Sequence, residues 1–279
     1  MKYFILLCLV FASTASLTQN NVHLYNTEQF ICESKHYPNE HFTIQVAFPS
    51  DYQAKNNYPI VYLLDSDTSF GLTKGIVDLL LAGKEIRPII IVGIAYNKDL
   101  RTWWVNRSRD FIPTLDTLSN FGKKWPKAGK ADTFANFISN DLMPTIRNKY
   151  HVNEAETGII GFSFGGLFAS YVLFTNPDLF NKYVIISPLT QWDNRLISKL
   201  ENSYKQNNNT LDKSIYIALS SLDSPALVNT PTLELIESIN TKAYLNLKIE
   251  YKTNVGDTHY SGYPKGIIDG LKFVYPPKD

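Results

Sequence analysis

The chain has 279 residues, 44% of them hydrophobic and 19% charged, a composition that excludes a disordered or fibrous protein and is long enough to bury a sizeable core. A formal net charge of +1 leaves no field with which to gather nucleic acid or anionic lipid, so the expected partner is a small, near-neutral molecule. Aromatic residues, at 13%, are abundant.

The first residues have the pattern of a targeting segment. Lys2 precedes an apolar run from Tyr3 to Ala12, followed by the small residues Ser13, Thr14, Ala15 and Ser16. The run is shorter than the ~20 apolar residues that span a bilayer, so residues 1–16 are expected to be a cleaved signal peptide and not an anchor. This predicts export, to the periplasm or the medium, without stable membrane insertion, and a single domain over residues 17–279. Cleavage would leave Cys32 as the lone cysteine, which can form no internal disulfide.

Residues 28–34 and 41–48, ending at Pro49, predict two antiparallel strands at a sheet edge. The run Ile60-Val61-Tyr62-Leu63-Leu64 is apolar throughout and stops at Asp65-Ser66-Asp67, as a strand covered on both faces would before a functional loop. A helix is expected near 72–82, then a second doubly buried strand over 89–94 after Pro88. This alternation indicates an α/β chain with a parallel sheet. From Tyr96 to Ala131 periodicity is lost while Trp103, Trp104, Trp125, Pro113, Pro126 and several cations accumulate, which reads as a long loop. A helix, kinked near Pro144, is expected over 132–150, then a strand at 157–161, a helix from Gly165 and a strand at 183–187. Further strands at 215–220 and 245–251 flank a helical stretch around 231–241. The Asn-rich patch 206–209 reads as a surface loop.

Gly161-Phe162-Ser163-Phe164-Gly165 fits the G-x-S-x-G nucleophile elbow between an expected strand and an expected helix. That chemistry needs a serine on a turn too tight for flanking side chains, and Gly161 and Gly165 would give the clearance. A glycine-rich turn without chemistry is the alternative. A serine hydroxyl is a weak nucleophile at neutral pH and needs a base, for which histidine titrates in the useful range. Of the five histidines, His23, His36, His41 and His151 precede the elbow, and their spacing forms no metal-site pattern. Only His259 satisfies the chain order serine, acid, histidine. The acid is expected after the strand ending near Ser220, where Asp223 is favoured over Asp257; Asp223-Ser224-Pro225 would equally make an Asx turn. An oxyanion hole would use the backbone N–H of Phe164 and a second amide, from Asp67 or Ser66. Asp65 and Asp67 without further oxygen donors make a poor calcium site.

Together these residues resemble the esterase D-like branch of the α/β hydrolases, a group that includes ferri-siderophore esterases, feruloyl esterases, mycolyltransferases and S-formylglutathione hydrolase. The resemblance runs from about residue 28 to the C-terminus. It is carried by Tyr62-Leu63-Leu64-Asp65, Val92-Gly93-Ile94, Arg107-Ser108-Arg109-Asp110-Phe111-Ile112-Pro113, Gly161 to Gly166, Asn176-Pro177-Asp178-Leu179-Phe180, Ser187-Pro188 and Gly256-Asp257-Thr258-His259. Two departures stand out: Ser66 where the family often has glycine, and Ser220-Ser221-Leu222-Asp223 without the usual glycine.

The resemblance implies the α/β-hydrolase fold, with about eight mostly parallel strands and helices on both faces. It also implies Ser163 and His259 as a catalytic pair with Asp223 in the acid position, although some relatives work as Ser-His dyads. Hydrolysis of a small-molecule carboxylic ester through an acyl enzyme is the leading expectation, with no cofactor and no metal. Acyl transfer to a sugar or other alcohol is the second, and a ligand-binding member without activity the third. Trp103, Trp104, Arg107 and Arg109 fall where relatives build the mouth of the site, and with Asp65 and Trp192 are candidate substrate contacts. For the aromatic and arginine group a solvated loop over packed tryptophans is the competing reading.

Overall fold

The apolar runs become the strands of one eight-stranded sheet. The structure is a computed structural model and describes residues 23–38 and 40–277; the expected signal peptide, residues 1–16, lies outside the described residues. The strands are β1 (Thr27–Glu33), β2 (His41–Ala47), β3 (Tyr58–Leu63), β4 (Ile90–Ala95), β5 (Val152–Phe162), β6 (Lys182–Ile186), β7 (Ser214–Ser220) and β8 (Lys248–Asn254). Their spatial order is β1-β2-β4-β3-β5-β6-β7-β8. β2 is antiparallel to both β1 and β4, and every pairing from β4 onward is parallel. This is the α/β-hydrolase architecture expected above.

β3 and β4 are buried along their whole length because successive side chains enter two different cores. Val61, Leu63 and Ile91 pack into a cluster with α1 (Ser66–Ala82) and α8 (Gly262–Val274). Ile60, Tyr62, Ile90 and Val92 face the larger cluster on the other side. That side is covered by α2 (Leu100–Phe111), α3 (Ala131–Phe137), α4 (Met143–Lys149), α5 (Phe164–Thr175), α6 (Trp192–Asn207) and α7 (Thr230–Thr241).

The largest departure from the sequence reading is α2, which lies inside the stretch expected to be a loop. Asp99 caps it by accepting from the amides of Arg101 and Thr102. Its buried face holds Asn106, Arg107, Ser108 and Asp110 beside Trp103 and Phe111, so the hydrophobic period that reveals most helices is absent. The kink near Pro144 is a π-helical turn, Ile138–Leu142, joining α3 to α4; proline offers no N–H to an ordinary turn there.

Two further helices were not anticipated, α6 and α8. α6 opens with Asp193, Asn194 and Arg195 in left-handed backbone conformation, which breaks the helical pattern at its start. In α8 the glycines recur every four residues, at 262, 266 and 270, a composition that reads as a loop. Their function is close approach. A Cβ on Gly270 would stand 2.4 Å from Val184 Cγ1 and one on Gly266 would stand 2.9 Å from Ile186 Cγ1, so this row lets α8 lie directly on β6 and β7.

Candidate active site

β5 ends at Phe162, α5 begins at Phe164, and Ser163 between them has φ 60° and ψ −114°, a strained backbone for a residue with a side chain. The turn is possible because a Cβ on Gly161 would fall 2.2 Å from the Gly165 carbonyl oxygen. Clearance was expected of Gly165 as well, but a Cβ there would meet only ordinary contacts at 3.4 Å or more. The second tight position is Gly166, where a Cβ would stand 3.1 Å from the Ile186 carbonyl. The Ser163 amide donates to that same carbonyl at 2.9 Å, fixing the elbow to β6.

His259 lies in the loop between β8 and α8, its ring packed on Phe162 with centroids 4.5 Å apart. Its Nδ1 is 2.7 Å from Asp223 Oδ1, which leaves Nε2 on the side of the ring away from the carboxylate. Among the described residues His259 bonds to Asp223 and not to Ser163. Burial pushes the Asp223 carboxyl up, but the His259 ring, the Ser187 hydroxyl and the Ser224 amide outweigh it, and the net displacement is downward. Asp257 instead accepts from Ser261 and from Lys265 Nζ at 2.7 Å, bracing the start of α8.

The turn from β3 into α1 is held by side chains of the first turn of the helix. Ser66 donates to Gln45 at 2.9 Å, and the Asp67 carboxylate accepts from the amides of Tyr96 and Asn97. The amides of Ser66 and Asp67 belong to the first turn of α1, and that of Phe164 to the first turn of α5, where helical bonding leaves N–H groups available to an anion.

Asp65 and Arg107 are engaged with each other. Arg107 Nε and Nη2 reach the two Asp65 carboxylate oxygens at 2.6 and 2.9 Å, and Nη2 also donates to the Phe162 carbonyl at 3.1 Å. The guanidinium sits among the rings of Trp103, Trp104, Phe111 and Phe164, 5.2–5.6 Å from each centroid, and Arg107 is 3% exposed. The expectation that both contact substrate is therefore revised. An unpaired charge in so dry a position would be costly, and each serves as the other's partner.

Arg109 points elsewhere, to Asp110 and Glu40 over the Tyr37 ring. Trp103 is buried and Trp104, at 36%, is the tryptophan of that pair open to solvent. Trp192 is buried and its indole N–H donates to Thr114. It stands edge-on to Phe121 and Phe164 and lines a cavity of about 740 Å³ with Phe121, Leu189, Pro225 and Leu227. That cavity begins two residues beyond Asp223. Phe121, Leu189 and Leu227 escaped the sequence reading because their shared wall joins three segments far apart in the chain; Trp125, edge-on to Phe164, was visible only as an aromatic in the long loop.

A larger cavity of about 1010 Å³ is lined by Pro59, Lys74, Arg87 and Pro88. It opens at the N-terminal ends of β3 and β4, the wrong edge for chemistry in such sheets. Among the described residues no group of three or more His, Cys, Asp or Glu side chains could hold a metal ion, and no helix is long and apolar enough to cross a membrane.

A serine raised on a strand-to-helix turn at the carboxyl edge of this sheet, with the His259 ring stacked on the residue before it, defines a serine hydrolase of the α/β-hydrolase fold. Residues 35–262 match the family described as "Putative esterase", and the chain belongs to it. It is similar to the ferri-bacillibactin esterase BesA of Bacillus subtilis (strain 168), 30% identical over 93% of each chain. It is also similar to the siderophore triacetylfusarinine C esterase of Aspergillus fumigatus, 29% identical over 63% of this chain and 60% of that one. Among solved structures, the BES protein from Bacillus cereus superposes with a TM-score of 0.80 at 26% identity, over 92% of this chain and 98% of the other. The protein is a carboxylic ester hydrolase.

Proposed function

We propose that the chain hydrolyses the ester bonds of a siderophore in two steps, with Ser163 as nucleophile, His259 as general base and Asp223 as the acid that orients it. The observation that carries this reading is the 2.7 Å approach of His259 Nδ1 to Asp223 beside a serine on a strained turn. His259 Nε2 takes the hydroxyl proton as Ser163 Oγ bonds to the ester carbonyl carbon. Charge gathers on the carbonyl oxygen, facing the Phe164 amide and a second amide from Ser66 or Asp67. Collapse breaks the carbon–oxygen bond of the ester, and His259 returns the proton to the departing alcohol. Water, deprotonated by the same imidazole, then releases the acid and regenerates Ser163. The Ser163–His259 hydrogen bond forms with substrate bound, as such bonds often tighten only in the complex.

The siderophore reading is supported by similarity to a ferri-bacillibactin esterase along 93% of both chains. The cavity walled by Phe121, Trp192 and Leu227 suits an aromatic arm of such a molecule. The test is turnover of bacillibactin and of p-nitrophenyl acetate, followed by liquid chromatography and absorbance. Both should be cleaved, and Ser163→Ala and His259→Ala should each lose roughly 10⁴-fold or more in kcat. A fluorophosphonate should label the unaltered protein and not Ser163→Ala. Turnover retained by Ser163→Ala would overturn the mechanism, whereas cleavage of the aryl ester alone would overturn the substrate.

A further inference from the structure

Four successive parallel strands each present a polar side chain beyond their carboxyl ends. Ser163 follows β5, Asp223 follows β7, His259 follows β8, and Ser187 follows β6 between the first two. Ser187 is fixed from both sides. Its amide donates to the Ala218 carbonyl of β7 at 2.8 Å, and the residue before it accepts from the Ser163 amide at 2.9 Å.

Ser187 carries two costs. Its backbone has φ 43°, a left-handed conformation that glycine, asparagine or aspartate adopts more readily than serine. Its side chain is 0% exposed, and the hydroxyl has no partner in hydrogen-bonding geometry, a state that costs free energy in a buried position. The oxygen of Asp223 that His259 leaves free, Oδ2, is likewise buried and without a partner. β6 and β7 are neighbouring parallel strands, so Ser187 and Asp223 leave the same edge of the sheet side by side, and the Ser187 hydroxyl helps to hold the Asp223 carboxyl down.

We propose that Ser187 is a positioning residue for the triad: its hydroxyl donates to Asp223 Oδ2 and fixes the carboxylate plane so that Oδ1 stays aligned with His259 Nδ1. This rests on the reading of Asp223 as the acid. Being fully buried, Ser187 does not meet substrate and acts through Asp223 alone. When His259 takes the proton of Ser163, the carboxylate must remain anionic and must not rotate, and a second donor on the opposite oxygen meets both needs.

The experiment compares kcat and KM for p-nitrophenyl acetate in the full chain and in Ser187→Ala, Ser187→Gly, Asp223→Asn and the Ser187→Ala/Asp223→Asn pair, with thermal melts to check folding. Ser187→Gly is the deciding variant. It removes the hydroxyl but accepts the left-handed backbone, so a purely structural serine would be replaced without loss. The expected result is a fall in kcat of about tenfold or more for both Ser187 variants, with KM within about twofold. The Ser187→Ala effect should vanish when it is combined with Asp223→Asn, because the two residues act as one unit. Unaltered kcat in Ser187→Gly, or a Ser187→Ala loss undiminished in the Asp223→Asn background, overturns the proposal while the triad stands. Full kcat in Asp223→Asn removes the acid itself and overturns both readings. Should Ser187→Ala not fold, Ser187→Gly alone and paired with Asp223→Asn gives the same answer.

Discussion

Arg107 joins three parts of the protein through one guanidinium: the loop after β3 through Asp65, the strand leading to the nucleophile through the Phe162 carbonyl, and α2 through the rings of Trp103 and Trp104. Burial pushes the Asp65 carboxyl up and Arg107 opposes this. Lysine cannot reproduce the two-point contact or the stacking. Arg107→Lys is therefore expected to lower the melting temperature and reduce kcat by roughly tenfold while KM changes little, since the residue is buried against Asp65 and holds the turn after β3. Steady-state kinetics with a melting curve would check this, and a variant with altered KM alone would point to a direct substrate contact. In the sequence Arg107 and Asp65 were visible as residues but not as a pair. Forty-two positions separate them, and a cation near aromatics looks the same whether it faces solvent or a buried carboxylate. Ser163 was legible for the opposite reason: strand, tight turn and helix are contiguous, and the chemistry imposes glycine within two residues.

At the scale of elements, α2 shows how a helix can be stable and yet hidden. Its last turn is anchored by Asp110, which is fully buried and accepts from Tyr37, Tyr96 and Arg109. Burial and then the neighbouring Asp110 push the Tyr37 and Tyr96 phenols up, so both remain protonated donors. Removing the carboxylate takes from the two phenols their nearer acceptor, leaving them the Lys130 and Asn106 carbonyls at 3.3 and 3.5 Å, and leaves Arg109 with Glu40 alone. Asp110→Ala is expected to cost about 3–5 kcal/mol, read as a lower urea midpoint, and to loosen α2 enough to expose Trp104 further, read as a red shift in tryptophan emission. A loss below about 1 kcal/mol would mean that water replaces the carboxylate at that site. The same polar face explains why the sequence pointed to a loop here. Amphipathic pattern reports which side is apolar, and a helix secured by buried charges carries no such report. α8 was hidden differently, by glycines whose purpose is contact with β6 and β7 and not freedom of the chain.

For the whole molecule, acid stability should carry the mark of the site. Asp223 lies below the usual carboxylate range in the folded protein, burial raising it but His259, Ser187 and Ser224 lowering it more. In the unfolded chain it titrates near ~3.9. The unfolded state thus binds more protons as the pH drops below that value, so Asp223 stabilises the fold fully above it and loses that contribution as the pH falls through its lowered folded value. Asp223→Asn should flatten the acid decline of stability below about pH 4, measured as urea midpoints at several pH values; an unaltered slope would mean that the carboxyl titrates alike in both states. The linear chain was enough to reveal most of the strands and helices around the sheet, the elbow and the family resemblance, because alternation, turn chemistry and short motifs act between neighbours along it. Folding in three dimensions was needed to choose which carboxylate faces His259, to turn Arg107 inward to Asp65, to make a helix of polar α2, and to close one aromatic cavity from three distant segments. Those outcomes depend on desolvation and on partners brought together from distant positions, and a linear pattern holds no record of either.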